Sequence, residues 1–132
     1  MKRKFKLVGR PASKKNSRIV LKKQGRVIDI PSNAYRTYKK SCLEQITEQL
    51  GAKIRLMKPW YIVEVEVFYK TMVRLDGDNV LSSILDIFQD AGVITDDKMV
   101  GKSSVTMHLN TREEDYLLVT VFEVDEKDFV VA

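Results

Sequence analysis

The chain has 132 residues, enough for one compact core and too short for two independent ones. Apolar residues make up 44% and charged residues 31%, an ordinary water-soluble composition that argues against a disordered, collagen-like or membrane-embedded chain. The formal charge of +5 hides a strong asymmetry: residues 1–40 carry 14 Lys or Arg against Asp29 alone, and the rest carry 9 basic and 17 acidic residues. A basic first third of this kind points to a polyanionic partner, because each cation that neutralises a phosphate releases counterions.

In chain order, Lys4 to Val8 alternates as a first strand. The segment Gly9-Arg10-Pro11-Ala12-Ser13-Lys14-Lys15-Asn16-Ser17 has loop composition, and Arg18 to Lys23, a Gln24-Gly25 turn and Arg26 to Ile30 read as a basic hairpin. Ser32 or Asn33 suits a helix start, after which Tyr35, Tyr38, Cys42, Ile46 and Leu50 recur at three- or four-residue steps up to Gly51, predicting a helix over about 34–50. Tyr61 to Tyr69 alternates strictly, with Val63, Val65 and Val67 on one face and Glu64 and Glu66 on the other. From about Asn79 to Ala91, residues Val80, Leu81, Ile84, Leu85, Phe88 and Ala91 form an apolar helical face, with Asp86 and Asp90 on a face expected to be solvated. Strands over about 103–109 and 116–124 follow, joined by a polar loop at 110–115, and the docking of the tail is not legible. The order lacks strict strand–helix alternation, so the expected class is α+β, a single domain with a mixed or mostly antiparallel sheet and two helices.

No apolar run approaches the roughly 20 residues that span a bilayer, and the basic N-terminus lacks the apolar region of a secretion signal. The expected location is therefore the cytoplasm. Cys42 and His108 are the only residues of their types, which excludes an intrachain disulfide and leaves little for a Cys/His zinc cluster or a Ser-His-Asp triad. A Cys42–His108 pair is formally available, but a helix stripe and a strand are the usual places of structural residues. Carboxylates with a hard metal ion are the better-supplied chemistry.

The segment richest in such chemistry is Arg74-Leu75-Asp76-Gly77-Asp78-Asn79, with Asp96-Asp97 beyond the second helix. If Asp76 and Asp78 enter the helix from an extended segment, their two-residue spacing puts both carboxylates on one side, about 6.6 Å apart at Cα. Charges that close favour a cation such as Mg²⁺, bound through oxygen. A helix from Asp78 to Ala91 rises about 20 Å, and the six residues on to Asp97 reach about 20 Å when extended. Asp97 can thus just return to the helix start in its own chain, or a second subunit can supply it; Asp96 then points elsewhere. Each acid taken alone is equally well a cap or a turn residue.

The run from Asp76-Gly77-Asp78-Asn79 through Asp86, then Ala91-Gly92 and Asp96-Asp97, resembles the RusA family of Holliday-junction resolvases, and the Gly9-Arg10-Pro11 to Arg18 loop is similar to that family's N-terminal segment. The resemblance implies a homodimeric, Mg²⁺-dependent endodeoxyribonuclease of bacterial or prophage origin, acting in recombination and repair on four-way junctions, with Mn²⁺ as a substitute metal. It implies Asp76, Asp78 and Asp97 as the catalytic metal ligands. Lys14, Lys15, Arg18, Arg74 and Lys98 are the candidate DNA contacts, and Tyr69 and Met72 a candidate wedge between bases, with strand-end packing as the plainer role. The family pattern has Lys where this chain has Ser82, which keeps a non-cleaving junction- or duplex-binding factor as the alternative; a nuclease of forks or flaps is a third reading.

Overall fold

The computed structural model describes residues 1–12, 18–23, 26–31, 33–53, 55–70, 77–109 and 114–131, with the backbone alone for 18–31. Its strands are β1 (Lys2–Val8), β2 (Arg18–Lys23), β3 (Arg26–Pro31), β4 (Tyr61–Phe68), β5 (Val100–His108) and β6 (Tyr116–Glu123); its α-helices are α1 (Asn33–Leu50) and α2 (Gly77–Asp90). Short 3-10 turns at Asp97–Met99 and Glu126–Phe129 complete the chain. This is the α+β class expected, with two helices and a mixed four-stranded sheet. The basic hairpin forms as an antiparallel β2–β3 pair, its Gln24-Gly25 turn lying outside the described residues.

The main sheet has the order β1-β6-β4-β5. Its β1–β6 and β4–β6 pairs are antiparallel, and β4–β5 is parallel. The alternation in β4 works as its spacing dictates: Val63, Val65 and Val67 are buried and Glu64 is exposed. They share one core with Phe5 and Leu7 of β1, Leu117, Val119 and Val121 of β6, and the apolar stripes of both helices. A T-shaped contact of Phe5 with Phe88 of α2, at 5.1 Å between centroids, marks its centre.

The α1 stripe is the predicted one, Tyr35, Tyr38, Cys42, Ile46 and Leu50. In α2 the buried set is Val80, Ser83, Ile84, Ile87 and Phe88, so the face is rotated slightly from the expected one and Leu81 and Leu85 lie at its margin. Ser83 tolerates burial because its hydroxyl donates to the Asn79 carbonyl at 2.9 Å. The face carrying Asp86 is not solvated as expected. Asp86 accepts from the Tyr35 hydroxyl at 2.6 Å and from Lys39 at 3.2 Å, and Lys39 also pairs with Asp90, so these acids bind α2 to α1.

Two glutamines attach α1 to the edge of the sheet. Gln45 exchanges hydrogen bonds with the Val8 peptide (2.7 and 3.0 Å) and Gln49 with the Lys6 peptide (2.9 and 2.7 Å). Four helical residues rise about 6 Å and two strand residues about 6.6 Å, so side-chain amides at i and i+4 match alternate strand peptides. They occupy the edge of β1 as a neighbouring strand would.

On the face away from the helices, Phe68 stacks between His108 (4.4 Å) and Tyr116 (4.6 Å), with Lys6 over the outer face of Tyr116. The tail docks through Phe129, which lies beside Trp60 and against Gly101, where a Cβ would meet the Phe129 ring at 2.6 Å.

Burial raises the Cys42 thiol to about 11 and the Tyr69 phenol to about 12, against ordinary values of 9.0 and 10.0. The unfolded chain therefore loses these protons first, and rising pH favours unfolding. Urea midpoints are expected to hold steady below about pH 8 and to fall progressively from pH 9 to 12, with a shallower fall in Tyr69→Phe.

Candidate active site

Parallel pairing of β4 with β5 requires a crossover, and α2 supplies it, running back along the sheet antiparallel to both strands. The helix starts beside the middle of β5: a Cβ on Gly77 would lie 3.8 Å from Val105 Cγ1. Asp78 stands exposed in its first turn, where the helix dipole favours an acid. Asp76, one of the three predicted ligands, lies outside the described residues, as do Arg74, Met72, Lys14, Lys15 and the side chain of Arg18.

Asp97 is placed by a tightly specified turn at the other end of α2. Gly92 ends the helix with φ +74°, and the Val93 N–H returns to the Phe88 carbonyl at 3.0 Å. The buried Tyr61 hydroxyl donates to the Met57 carbonyl (2.6 Å) and accepts the Thr95 N–H (3.3 Å), and the Asp97 N–H donates to Gln89 Oε1 at 3.1 Å. Asp96 caps the short turn by accepting the Lys98 N–H at 2.9 Å. That bond first, and a hydrogen bond with the Asp97 side chain second, hold the Asp96 carboxyl below its usual range. Asp97 and Lys98 are both exposed.

The consequence is geometric. Eleven residues of α2 separate Asp78 from Gln89, which holds Asp97, a rise of about 16 Å. The strand side agrees, since the five steps from Val105 back to Val100 cover about 16 Å. Carboxylates on one Mg²⁺ hold their oxygens about 2.1 Å from the ion. Within one chain the return to the helix start is not made, and Asp78 and Asp97 stand apart. Among the described residues no three His, Cys, Asp or Glu side chains gather around a common point. The donor set itself, carboxylates without nitrogen or sulfur, suits a hard cation such as Mg²⁺.

Other candidates resolve plainly. Tyr69 is buried at the end of β4 and packs there instead of wedging between bases. Cys42 is buried with its thiol proton held tightly, the reverse of an activated nucleophile, and His108 lies with Phe68 and Glu66 on the open sheet face. Sequence reasoning missed Gln89 and Arg10. Gln89 carried no signal beyond its place in the last turn of α2, whereas Arg10, whose guanidinium lies 5.4 Å from the centroid of the Tyr69 ring, carried its charge and its place beside Gly9.

Carboxylates thus stand at both ends of the crossover helix in a chain whose first third is strongly basic. The chain belongs to the RusA endodeoxyribonuclease family: residues 9–121, most of its length, match the family model described as Endodeoxyribonuclease RusA. No curated protein matches the chain. No helix among the described residues is long and apolar enough to cross a membrane.

Because Gln89 is exposed and its amide oxygen accepts the Asp97 N–H, Gln89→Ala is expected to speed hydrogen exchange at the Asp97 amide severalfold while leaving the thermal midpoint within about 2 °C of the parent. Amide exchange followed by NMR checks this, and unchanged protection at Asp97 contradicts the assigned bond.

Proposed function

We propose that this protein is a Mg²⁺-dependent endonuclease that resolves four-way DNA junctions by paired symmetric nicks during recombination and repair, with Asp76, Asp78 and Asp97 as metal ligands. Family membership supports the nuclease class and the junction substrate. The single observation that carries the finer reading is the separation of Asp78 from Asp97 along α2. If the three aspartates share an ion, the set closes between two copies, Asp76 and Asp78 of one protomer meeting Asp97 of its partner.

A two-fold dimer of this kind holds two equivalent centres, which matches the near two-fold symmetry of a four-way junction. Bound Mg²⁺ would lower the pKa of a water and neutralise charge on the scissile phosphate. Lys98, beside Asp97, and Arg74, beside Asp76, would offset charge on the leaving oxygen. Lys14, Lys15 and Arg18 would hold the flanking backbone and set its register without reading bases. Mn²⁺ would serve the same oxygen ligands.

Ser82 favours a second reading. It lies one turn after Asp78 on α2, where the family pattern places a lysine, and a chain without that ammonium group could bind junctions without cutting them.

Incubation with a synthetic four-way junction separates the two. The enzyme is expected to bind in EDTA and to nick opposed strands symmetrically on adding Mg²⁺; binding without product leaves the non-cleaving factor. Asp78→Asn and Asp97→Asn are each expected to lose at least a hundredfold in rate yet keep junction binding. Mixing the two dead variants is the sharper test. A hybrid dimer rebuilds one intact centre if ligands come from both copies, so single nicks should reappear, whereas a centre closed within one chain predicts no recovery.

A further inference from the structure

Of the two edges of the main sheet, one is closed and the other open. Gln45 and Gln49 occupy the peptides of β1, whereas among the described residues no strand pairs with the outer side of β5. The Tyr69 N–H donates to the His108 carbonyl at 2.9 Å, so the peptide groups of His108 face β4. Peptide groups alternate in direction along a strand, which turns those of Ser103, Val105 and Met107 outward. Gly101, Lys102, Ser103, Ser104 and Thr106 are exposed along this edge. With one lysine and no proline in its nine residues, β5 is a template for another strand.

The flank of α2 that overlooks this edge is apolar. Helix α1 packs on β1 and α2 on β5, and Asp86 and Asp90 reach toward α1 through Tyr35 and Lys39. Leu81 and Leu85 each precede one of these acids by five residues, about 140° around the helix, and so stand on the side away from α1. Both are only partly buried.

Edge and flank share one centre. Helix α2 starts level with Val105 and runs antiparallel to β5. The midpoint of Leu81 and Leu85 lies five residues past Asp78, a rise of about 7.5 Å, and two strand steps from Val105 back to Ser103 cover about 6.6 Å. A two-fold axis through Ser103, perpendicular to the sheet, therefore passes beside the middle of the apolar flank. It sets Ser103 opposite the partner's Ser103, Val105 opposite the partner's Gly101 and Leu81 opposite the partner's Leu85. Lys102 meets the partner's Ser104, whereas an axis through Lys102 would oppose two like charges. The same operation brings Val105, beside which α2 begins, to within one strand residue, about 3.4 Å, of the level of the partner's Val100, where the Asp97 turn ends.

We propose that the β5 edge and the Leu81–Leu85 flank of α2 bind a second copy of this chain, the two β5 strands pairing antiparallel about Ser103 to join both four-stranded sheets into one. That Asp78 and the partner's Asp97 then share an ion rests on the endonuclease reading; the interface itself rests on the open edge and the flank beside it.

Sedimentation equilibrium of the full chain in EDTA tests the interface, and the parent is expected to form dimers. Ser103→Pro removes an N–H that faces away from β4, so it spares the protomer's own sheet and takes one hydrogen bond from each copy. It is expected to raise the dimer dissociation constant about tenfold or more. Ser103→Cys gives a readout that does not depend on weakening the dimer. Opposed residues of a hydrogen-bonded antiparallel pair lie about 5.5 Å apart at Cα, within disulfide reach. Mild oxidation should cross-link Ser103→Cys between copies and leave Ser104→Cys, two residues out of register with its equivalent, uncross-linked. The buried Cys42 does not compete. A parent that stays monomeric at its highest soluble concentration overturns the proposal. So does a dimer that Ser103→Pro leaves intact and in which Ser104→Cys cross-links as readily as Ser103→Cys. A monomer that still nicks junctions removes this interface and leaves the nuclease reading. A dimer that depends on Ser103, but whose mixed Asp78→Asn and Asp97→Asn variants stay inactive, removes the shared metal centre and leaves the interface.

Discussion

The parallel pairing of β4 with β5 is the constraint on which the rest of the molecule depends. Two parallel neighbours cannot be joined by a tight turn, so the chain leaves β4 at one end of the sheet and re-enters β5 at the other, with α2 as the return. Everything acidic in the signature region hangs on that path. Asp76 and Asp78 precede or open the return, and Asp97 ends it, so the length of α2 is built into the distance between them. A hairpin between β4 and β5 would have brought the same residues together within one chain.

Such a separation has chemical value only if both ends are held firmly, and they are. The Asp97 turn is fixed by the Gly92 helix stop, the Tyr61 hydroxyl, the Gln89 amide and the Asp96 cap, four devices in six residues of chain. The roll of α2 is set by its apolar face and by Asp86 and Asp90 reaching Tyr35 and Lys39 of α1. Helix α1 is in turn clamped to the edge of β1 by Gln45 and Gln49. A chain of specific polar contacts therefore connects the sheet edge to the helix that carries Asp78, and a carboxylate presented this way loses little orientational freedom on taking a ligand.

What the sequence disclosed followed from periodicity. The alternation through Val63, Val65 and Val67 and the spacing of Tyr38, Cys42 and Ile46 survive in the fold because each is a one-dimensional record of which face meets the core. Strand β5 begins three residues before its expected start, since Gly101 and Lys102 are exposed on an edge strand and leave no apolar pattern. Whether β5 runs parallel or antiparallel to β4 has no local signature at all. Counting residues could bound the reach of Asp97 but not its direction, and the direction decides the site. The solvated face expected for Asp86 and Asp90 fails for a related reason: their partners Tyr35 and Lys39 lie 47 to 51 residues away on α1, and no spacing within α2 announces them.

If Asp78 and Asp97 share an ion as proposed, carrying the parts of that centre at opposite ends of one helix would act as a built-in safeguard. On that proposal a lone protomer would present two incomplete carboxylate sets, each too sparse to hold a hard cation against bulk solvent. In the proposed dimer both sets would be completed in one event and spaced by the symmetry of the assembly instead of by flexible linkage. For a protein acting on branched DNA this matters, because a single isolated nick releases the strain of a junction without resolving it. On this account the distance within the chain, a defect when each protomer is considered alone, couples cutting competence to the presence of a second cutting site.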